Sequence, residues 1–327
     1  MSSWLRSLSS SEQVGALFVL VFGLLVLVTG ALVTLSVRSR HEADEVRAAF
    51  HADWWALLKT SWFMVSVFWI GWVMGEIAAT VLFALVAFLA LREFITLSPT
   101  RRGDHRSLVL AFFVVLPVQF WLAGSKHFDL FTVFIPVYVF LAIPVVSALA
   151  DDPQRFLERN AKLQWGIMVC VYGMSHVPAL LLLNLRHYEG RGAFLVFFLV
   201  FVVQTCMLIQ HLAARHFPRP PAAPHVSRSF NWTSWAVAVL AASSLGVLLY
   251  AITPFRPLEA LAMGAIACVA GSMGHLVMKA LKRDRGVTNW GPQGRSVTGA
   301  NGLLDRVDAL CFAAPVFFHS ARWYFGA

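Results

Sequence analysis

The sequence predicts an all-α, polytopic integral membrane protein with about nine or ten transmembrane helical segments. Three observations carry this. Hydrophobic residues make up 58% of the 327 positions against 13% charged, and the mean hydropathy of +0.69 lies outside the range of soluble chains. Apolar runs approaching or exceeding the ~20 residues that cross a ~30 Å hydrocarbon layer follow one another along the chain. The runs are continuous rather than alternating, which excludes a β-barrel and leaves helices to satisfy the backbone in lipid.

The first run, 13–37, follows Arg6 but is longer than the core of a cleavable signal and lacks a small-residue cleavage site, so a retained span is expected. Runs 60–75 and 77–91 are short arms of a hairpin turning near Gly75-Glu76. Trp54, Trp55, Trp62, Trp69 and Trp72 suit an interfacial belt, so the first arm is also compatible with a surface segment. Residues 1–75 are therefore expected to form an N-terminal span plus an interfacial or hairpin segment, and 76–327 the main membrane domain. Runs 107–125, 130–150, 163–185, 192–214, 229–255 and 259–278, with a shorter 309–321, each support one further helix.

Loop charges give the orientation. From residue 92 to 306, alternate connections carry 16 basic residues on one side and 4 on the other. The positive-inside rule places the rich loops in the cytoplasm and the protein in the cell inner membrane. The net charge of +9 is read as loop cations facing anionic headgroups rather than as a nucleic-acid surface. Cys170, Cys206, Cys268 and Cys311 all lie in apolar runs without a CxxC pair, so core packing is expected, not a disulfide framework or a zinc site.

Two long loops on the basic side are placed to carry chemistry. One runs from Arg215 through Pro218, Pro220, Pro221 and Pro224 to Asn231; its prolines prevent a continuous helix. The other, 279–308, suits phosphate. Lys282 and Arg283 supply point and forked donors, Gly299 and Gly302 let backbone approach a ligand, and Asp305 and Asp308 share a helix face at i, i+3. Two carboxylates beside cations can hold a divalent metal that bridges phosphates. A helix start with acids favoured by the dipole accounts for the same spacing.

The residues Lys282-Arg283, Gly286-Val287, Gly291, Gly299, Gly302, Leu304, Asp305, Arg306 and Asp308 resemble the C-terminal signature of the bacterial CDP-diacylglycerol synthases, or phosphatidate cytidylyltransferases. Leu91-Arg92-Glu93-Phe94 and Ala313-Ala314-Pro315-Val316-Phe317 agree with its flanks, and the likeness runs from about residue 77 to the end. The resemblance implies a membrane enzyme joining CTP and phosphatidate into CDP-diacylglycerol and pyrophosphate. It implies catalytic roles for Lys282, Arg283, Asp305 and Asp308, phosphate contacts at Arg306, Gly299 and Gly302, and Mg²⁺ on Asp305 and Asp308.

The chain departs from that pattern at several positions. Lys279 stands where the signature has Ser, Thr288-Asn289 where it has Lys-Asp, and Ala300-Asn301 where it has His-Gly. An upstream Ser-Pro-x-Lys-Thr-x-Glu-Gly stretch is replaced by Ser227 to Ser234, putting Phe230 for Lys and Thr233 for Glu; Met207 falls where an Asp is expected. Losing one preorganised electrostatic group costs ~10²–10³ in rate. The sequence reading is thus a degenerate family member with catalysis lost or strongly weakened, binding phosphatidate or another anionic phospholipid. It would act as a homo-oligomer or as a partner of an active synthase. The alternative is an active CTP-dependent transferase with altered residues. A transporter would need matching broken helices, and no internal repeat is seen. His176, His211, His275 and His319 have no carboxylate at helical spacing and are expected to be packed or interfacial.

The charge alternation predicts that single cysteines at positions 101, 155, 219 and 285 resist a membrane-impermeant thiol reagent in intact cells. Labelling at two of the four would overturn the topology.

Overall fold

The computed structural model describes residues 10–38, 55, 58–59, 61–63, 65–67, 69–71, 73–98, 100–185, 191–287, 290 and 302–326. The chain divides into two units, Met1–Val73 and Met74–Ala327. In the first, helix α1 (Ser10–Arg38) carries the apolar span Gly15–Thr34. Trp62 Nε1 donates to Thr29 Oγ1 at 3.1 Å, and Trp69 stands edge-on to Phe18 with ring centroids 4.9 Å apart. Both tryptophans therefore pack on α1, which satisfies the indole N–H of Trp62 inside an apolar neighbourhood. Trp54 and Trp72 lie outside the described residues.

The second unit is all-helical among the described residues: α2 (Gly75–Thr96), α3 (Arg102–Gly124), α4 (Phe128–Ala148), α5 (156–181), α6 (Gly192–His216), α7 (Trp232–Ala251), α8 (Pro257–Asp284) and α9 (Leu304–Phe325). Gly75 begins α2 with φ of 87°, a left-handed conformation that glycine adopts without a Cβ clash, at the place where the sequence expected a turn. Seven of the nine described helices, α1 to α4 and α6 to α8, are long and apolar enough to cross a membrane. The chain is a polytopic α-helical membrane protein. Helices α5 and α9 are long enough as well, but begin with charged residues: Glu158, Arg159 and Lys162 in one, Asp305, Arg306 and Asp308 in the other.

Helices α3, α4 and α5 each contain a π-helical turn, at Ala111–Val115, Phe134–Val139 and Ile167–Gly173. Each turn contains a proline or lies just upstream of one: Pro117, Pro136 and Pro178. A proline has no N–H for the i−4 carbonyl, so the helix widens locally instead of breaking.

Contacts between loops define two ends of this unit. At one end Arg101 Nη1 donates to Gln154 Oε1 at 2.7 Å, and Arg159 lies 2.5 Å from Asp152 and 3.0 Å from Asp104. At the other, Lys126 pairs with Glu76 at 3.5 Å, Arg322 with Asp129 at 2.5 Å, and Tyr324 donates to Glu259. The cation-rich connections around 101 and 155 thus share an end, and the sparse ones around 126 and 256 share the opposite end. Desolvation works to raise the Asp152 carboxyl, but hydrogen bonds from Arg159 and Gln154 and the charges of Arg159 and Arg101 outweigh it and hold its pKa below the ordinary value. A lowered folded-state pKa contributes stability above the unfolded value, and that contribution is lost as pH falls through the folded one.

Helix α9 packs along α8, α5 and α6. Two glycines let it approach: a Cβ on Gly173 of α5 would collide with the Cys311 backbone carbonyl, and one on Gly274 of α8 with the Phe312 ring. A backbone oxygen cannot rotate away, so we predict that Gly173→Ala costs about 1–3 kcal/mol. The loss is to be read as a lower melting temperature in detergent, with Gly23→Ala, where nothing lies near, as the neutral control. Equal melting of the two variants would contradict this packing.

Candidate functional site

Helices α8 and α9 run antiparallel and are tied by two polar rungs, a Lys–Asp ion pair and a His–Asp hydrogen bond. Lys282 Nζ lies 2.5 Å from Asp305 Oδ1, with both side chains about nine-tenths buried. His275 Nδ1 lies 2.8 Å from Asp308 Oδ2, and Asp308 itself is buried. The remaining carboxylate oxygens are also used: Asp305 Oδ2 accepts from Trp290 N at 2.8 Å and Asp308 Oδ1 from Ala309 N at 2.6 Å. Trp290 is buried and stacks on Phe94 of α2 at 5.4 Å.

The start of α9 is capped from another helix. Glu93 of α2 accepts from Leu303 N and Leu304 N, each at 2.8 Å, using one carboxylate oxygen for each. A helix start leaves its first N–H groups without partners and carries positive dipole charge, so a carboxylate there is stabilising. Asp305 therefore does not cap the helix, and two of the donors that an anion would otherwise find are taken.

The proline-rich connection closes on itself through Ala222 N to Phe230 O at 2.8 Å and an antiparallel bridge between Ala223 and Ser227. Asn231 then caps α7, its Oδ1 accepting from Ser234 N at 2.7 Å. Trp235 on α7 donates to Ser272 on α8 at 2.9 Å, holding the loop's exit against α8. A cleft of about 330 Å³ results, lined by Val226, Ser227, Arg228, Ser229, Lys279, Lys282, Arg283 and Val287. A neighbouring hollow of about 340 Å³, lined by Pro224, His225, Arg228 and Arg283, shares two arginines with it. Among the described residues the lining of the cleft includes four cations and no carboxylate, a composition suited to polyphosphate or a phosphate-bearing headgroup.

The structure thus joins the two loops singled out from sequence. It brings Lys282, Arg283 and Asp305 to one place and sets Asp308 one turn further along α9. Arg306 is buried among Leu303, Glu93 and Asp305 and does not line the cleft; Gly302 is buried just ahead of the helix, and Gly299 lies outside the described residues. Phe230 is buried edge-on to Trp232, and Thr233 is exposed. Glu93 and the partner of His275 were not found as site features from sequence. A search for helical spacing cannot detect a carboxylate on a different helix, although Glu93 sits in a flank that carried the family likeness.

Among the described residues no three His, Cys, Asp or Glu side chains converge as a metal cage. Mg²⁺ commonly takes only one or two carboxylates together with substrate phosphates; Asp305 and Asp308 lie on one helix face, but their oxygens are engaged by Lys282, Trp290, His275 and Ala309, so a metal there would have to exchange those bonds.

The cytidylyltransferase family model matches residues 55–324. The uncharacterized protein YnbB of Escherichia coli (strain K12) is 35% identical over 243 residues, 74% of this chain and 78% of that protein. The phosphatidate cytidylyltransferase of Aquifex aeolicus (strain VF5) is 26% identical over 143 residues, 43% of this chain and 52% of that one.

Removing one partner of a buried ion pair strands the other, at a cost of ~3–5 kcal/mol. Lys282→Met is therefore expected to lower the melting temperature more than the double variant Lys282→Met/Asp305→Asn does. A double variant no more stable than the single one would show that the pair is not formed.

Proposed function

The chain belongs to the cytidylyltransferase family, and from that premise we propose that it transfers the cytidylyl group of CTP to the phosphate of a phosphatidate-class lipid. The observation that carries the reading is the convergence of the proline-rich loop and the Lys-Arg end of α8 on one cation-lined cleft, beside the helix bearing the Asp-Arg-x-Asp block.

In such a transfer a lipid phosphate oxygen forms a bond to the α-phosphorus of CTP, the bond from that phosphorus to the β-phosphate bridge breaks, and pyrophosphate leaves. Charge grows on the leaving group and is stabilised by fixed cations. Arg228 and Arg283, shared by the two hollows, are placed to fork onto successive phosphates. Lys282 and Asp305 hold each other in position, and the Asp308 carboxylate fixes the His275 ring. Mg²⁺ held by Asp305 and Asp308 would supply further neutralisation of phosphate charge. We place the cleft on the cytoplasmic face of the inner membrane, where the cation excess puts it and where CTP is present.

A second reading is favoured by one specific observation. Where the resembled signature has Lys and Glu, this chain has Phe230 turned into the core and Thr233 without charge. In that reading catalysis is lost, the cleft holds phosphatidate or another anionic phospholipid, and the protein works as a homo-oligomer or with an active synthase.

The purified protein, given labelled CTP, Mg²⁺ and phosphatidate in mixed micelles, is expected to form a chloroform-extractable labelled product, and Asp308→Asn to reduce it ~10²-fold or more. Absence of labelled lipid from the wild-type protein at high enzyme concentration would rule out the transferase reading and leave the second.

A further inference from the structure

Helix α8 presents His275, Lys279 and Lys282 at i, i+4 and i+7, which is one helical face. The outer two are the rungs to α9, paired with Asp308 and Asp305. Lys279 lies between them, half-buried, and among the described residues no carboxylate stands within ion-pair distance of it. Its electrostatic neighbours are Lys282, a like charge, and Asp308, whose oxygens are already hydrogen-bonded to His275 and Ala309. An ammonium held partly out of water with no directly paired carboxylate is costly, and packing alone gives no reason to keep it.

Lys279 lines the cleft together with Ser227 and Ser229, whose hydroxyl oxygens are 3.4 Å apart. The other cations of the lining are of different kinds. Arg228 and Arg283 are exposed, where salt screens them, and Lys282 is neutralised by Asp305. Lys279 also stands where the resembled signature has Ser, so the feature belongs to this chain's own version of the site.

We infer that Lys279 is the anion anchor of the cleft and holds a terminal phosphate dianion, either the phosphomonoester of a lipid headgroup or a phosphate of the nucleotide. The inference rests on the proposed function for its substrate class and stands on the geometry for its residue. Binding supplies the counter-charge that the two rungs have withheld, and the serine hydroxyls of the lining provide neutral donors to the same group. Arginine at 279 would preserve the charge; methionine would keep the packing and remove it.

The test uses the full chain in phosphatidylcholine nanodiscs. Inorganic pyrophosphate and CTP are titrated in one arm, and spin-labelled phosphatidate is exchanged into the nanodiscs in the other. Lys279→Met should weaken binding in at least one arm about tenfold or more, the scale of one charge-assisted hydrogen bond. Lys279→Arg should restore most of it, and neither variant should melt below the wild type, because no internal pair is broken. Loss in the soluble arm alone assigns the anchor to the nucleotide, and loss in the lipid arm alone to the headgroup. Wild-type binding that Lys279→Met leaves unchanged, no wild-type binding in either arm, or a fall in melting temperature without a fall in affinity would each overturn the inference. Labelled-lipid formation by the wild type is measured in parallel. Lys279-dependent binding without product would sink the transferase reading alone, and product with Lys279-independent binding would sink the anchor alone.

Discussion

Charge inside a helical bundle that sits in lipid has to be matched, and in this protein the matching determines where helix α9 lies. Asp305 and Asp308 are held by Lys282 and His275 of α8, and Glu93 of α2 satisfies the backbone N–H groups at the helix start. Gly173 and Gly274 allow the helix to come close enough for these bonds to form. Without the carboxylate of Glu93 the first turn would present unpaired donors, and without the rungs two carboxylates would be stranded away from water. The α8 wall of the cleft takes its charge pattern from this arrangement.

One consequence is an excess of positive charge on the facing wall. Because the acids of α9 are held by internal bonds, Arg228, Lys279 and Arg283 have no carboxylate among the described residues of the cleft that they line. The loop from Pro218 to Asn231 is fixed independently, by its own bridge, by the Asn231 cap and by the Trp235 bond to α8. Two rigid pieces therefore meet with cations and hydroxyls between them, and the proposed binding of phosphate rests on that charge balance. The polar group of Tyr172, His176, His319, Gln119 and Ser175 lies toward the opposite end of the helices and is bonded within itself and to backbone carbonyls, apart from Gln119 Oε1 and His176 Nε2, which are buried without a hydrogen-bond partner among the described residues.

Much of this was legible in the sequence. Apolar run lengths gave the helices, alternation of Arg and Lys gave the two ends, and the spacing of Lys282-Arg283 and Asp305-Arg306-Val307-Asp308 pointed to the segments that meet at the candidate site. Spacing along one chain could not show that Glu93, some 210 positions away, caps α9, or that His275 has a carboxylate partner. Both are contacts between helices, set by crossing geometry and not by the helical period. It equally could not show that Lys279 has no ion-pair partner among the described residues, since that depends on Asp305 and Asp308 choosing other partners. The π-helical turns of α3 to α5 had a local signal in their prolines, yet a proline in a span marks a distortion without saying which kind.

If two segments some fifty residues apart form one phosphate-binding cleft, a nucleotide should protect both at once. Hydrogen–deuterium exchange on the full protein in nanodiscs, with and without CTP and Mg²⁺, reads this out. Slowed exchange is expected in 226–229 and in 279–287 together, at the same CTP concentration. Slowing of only one segment, or of neither at saturating CTP, would contradict a shared cleft.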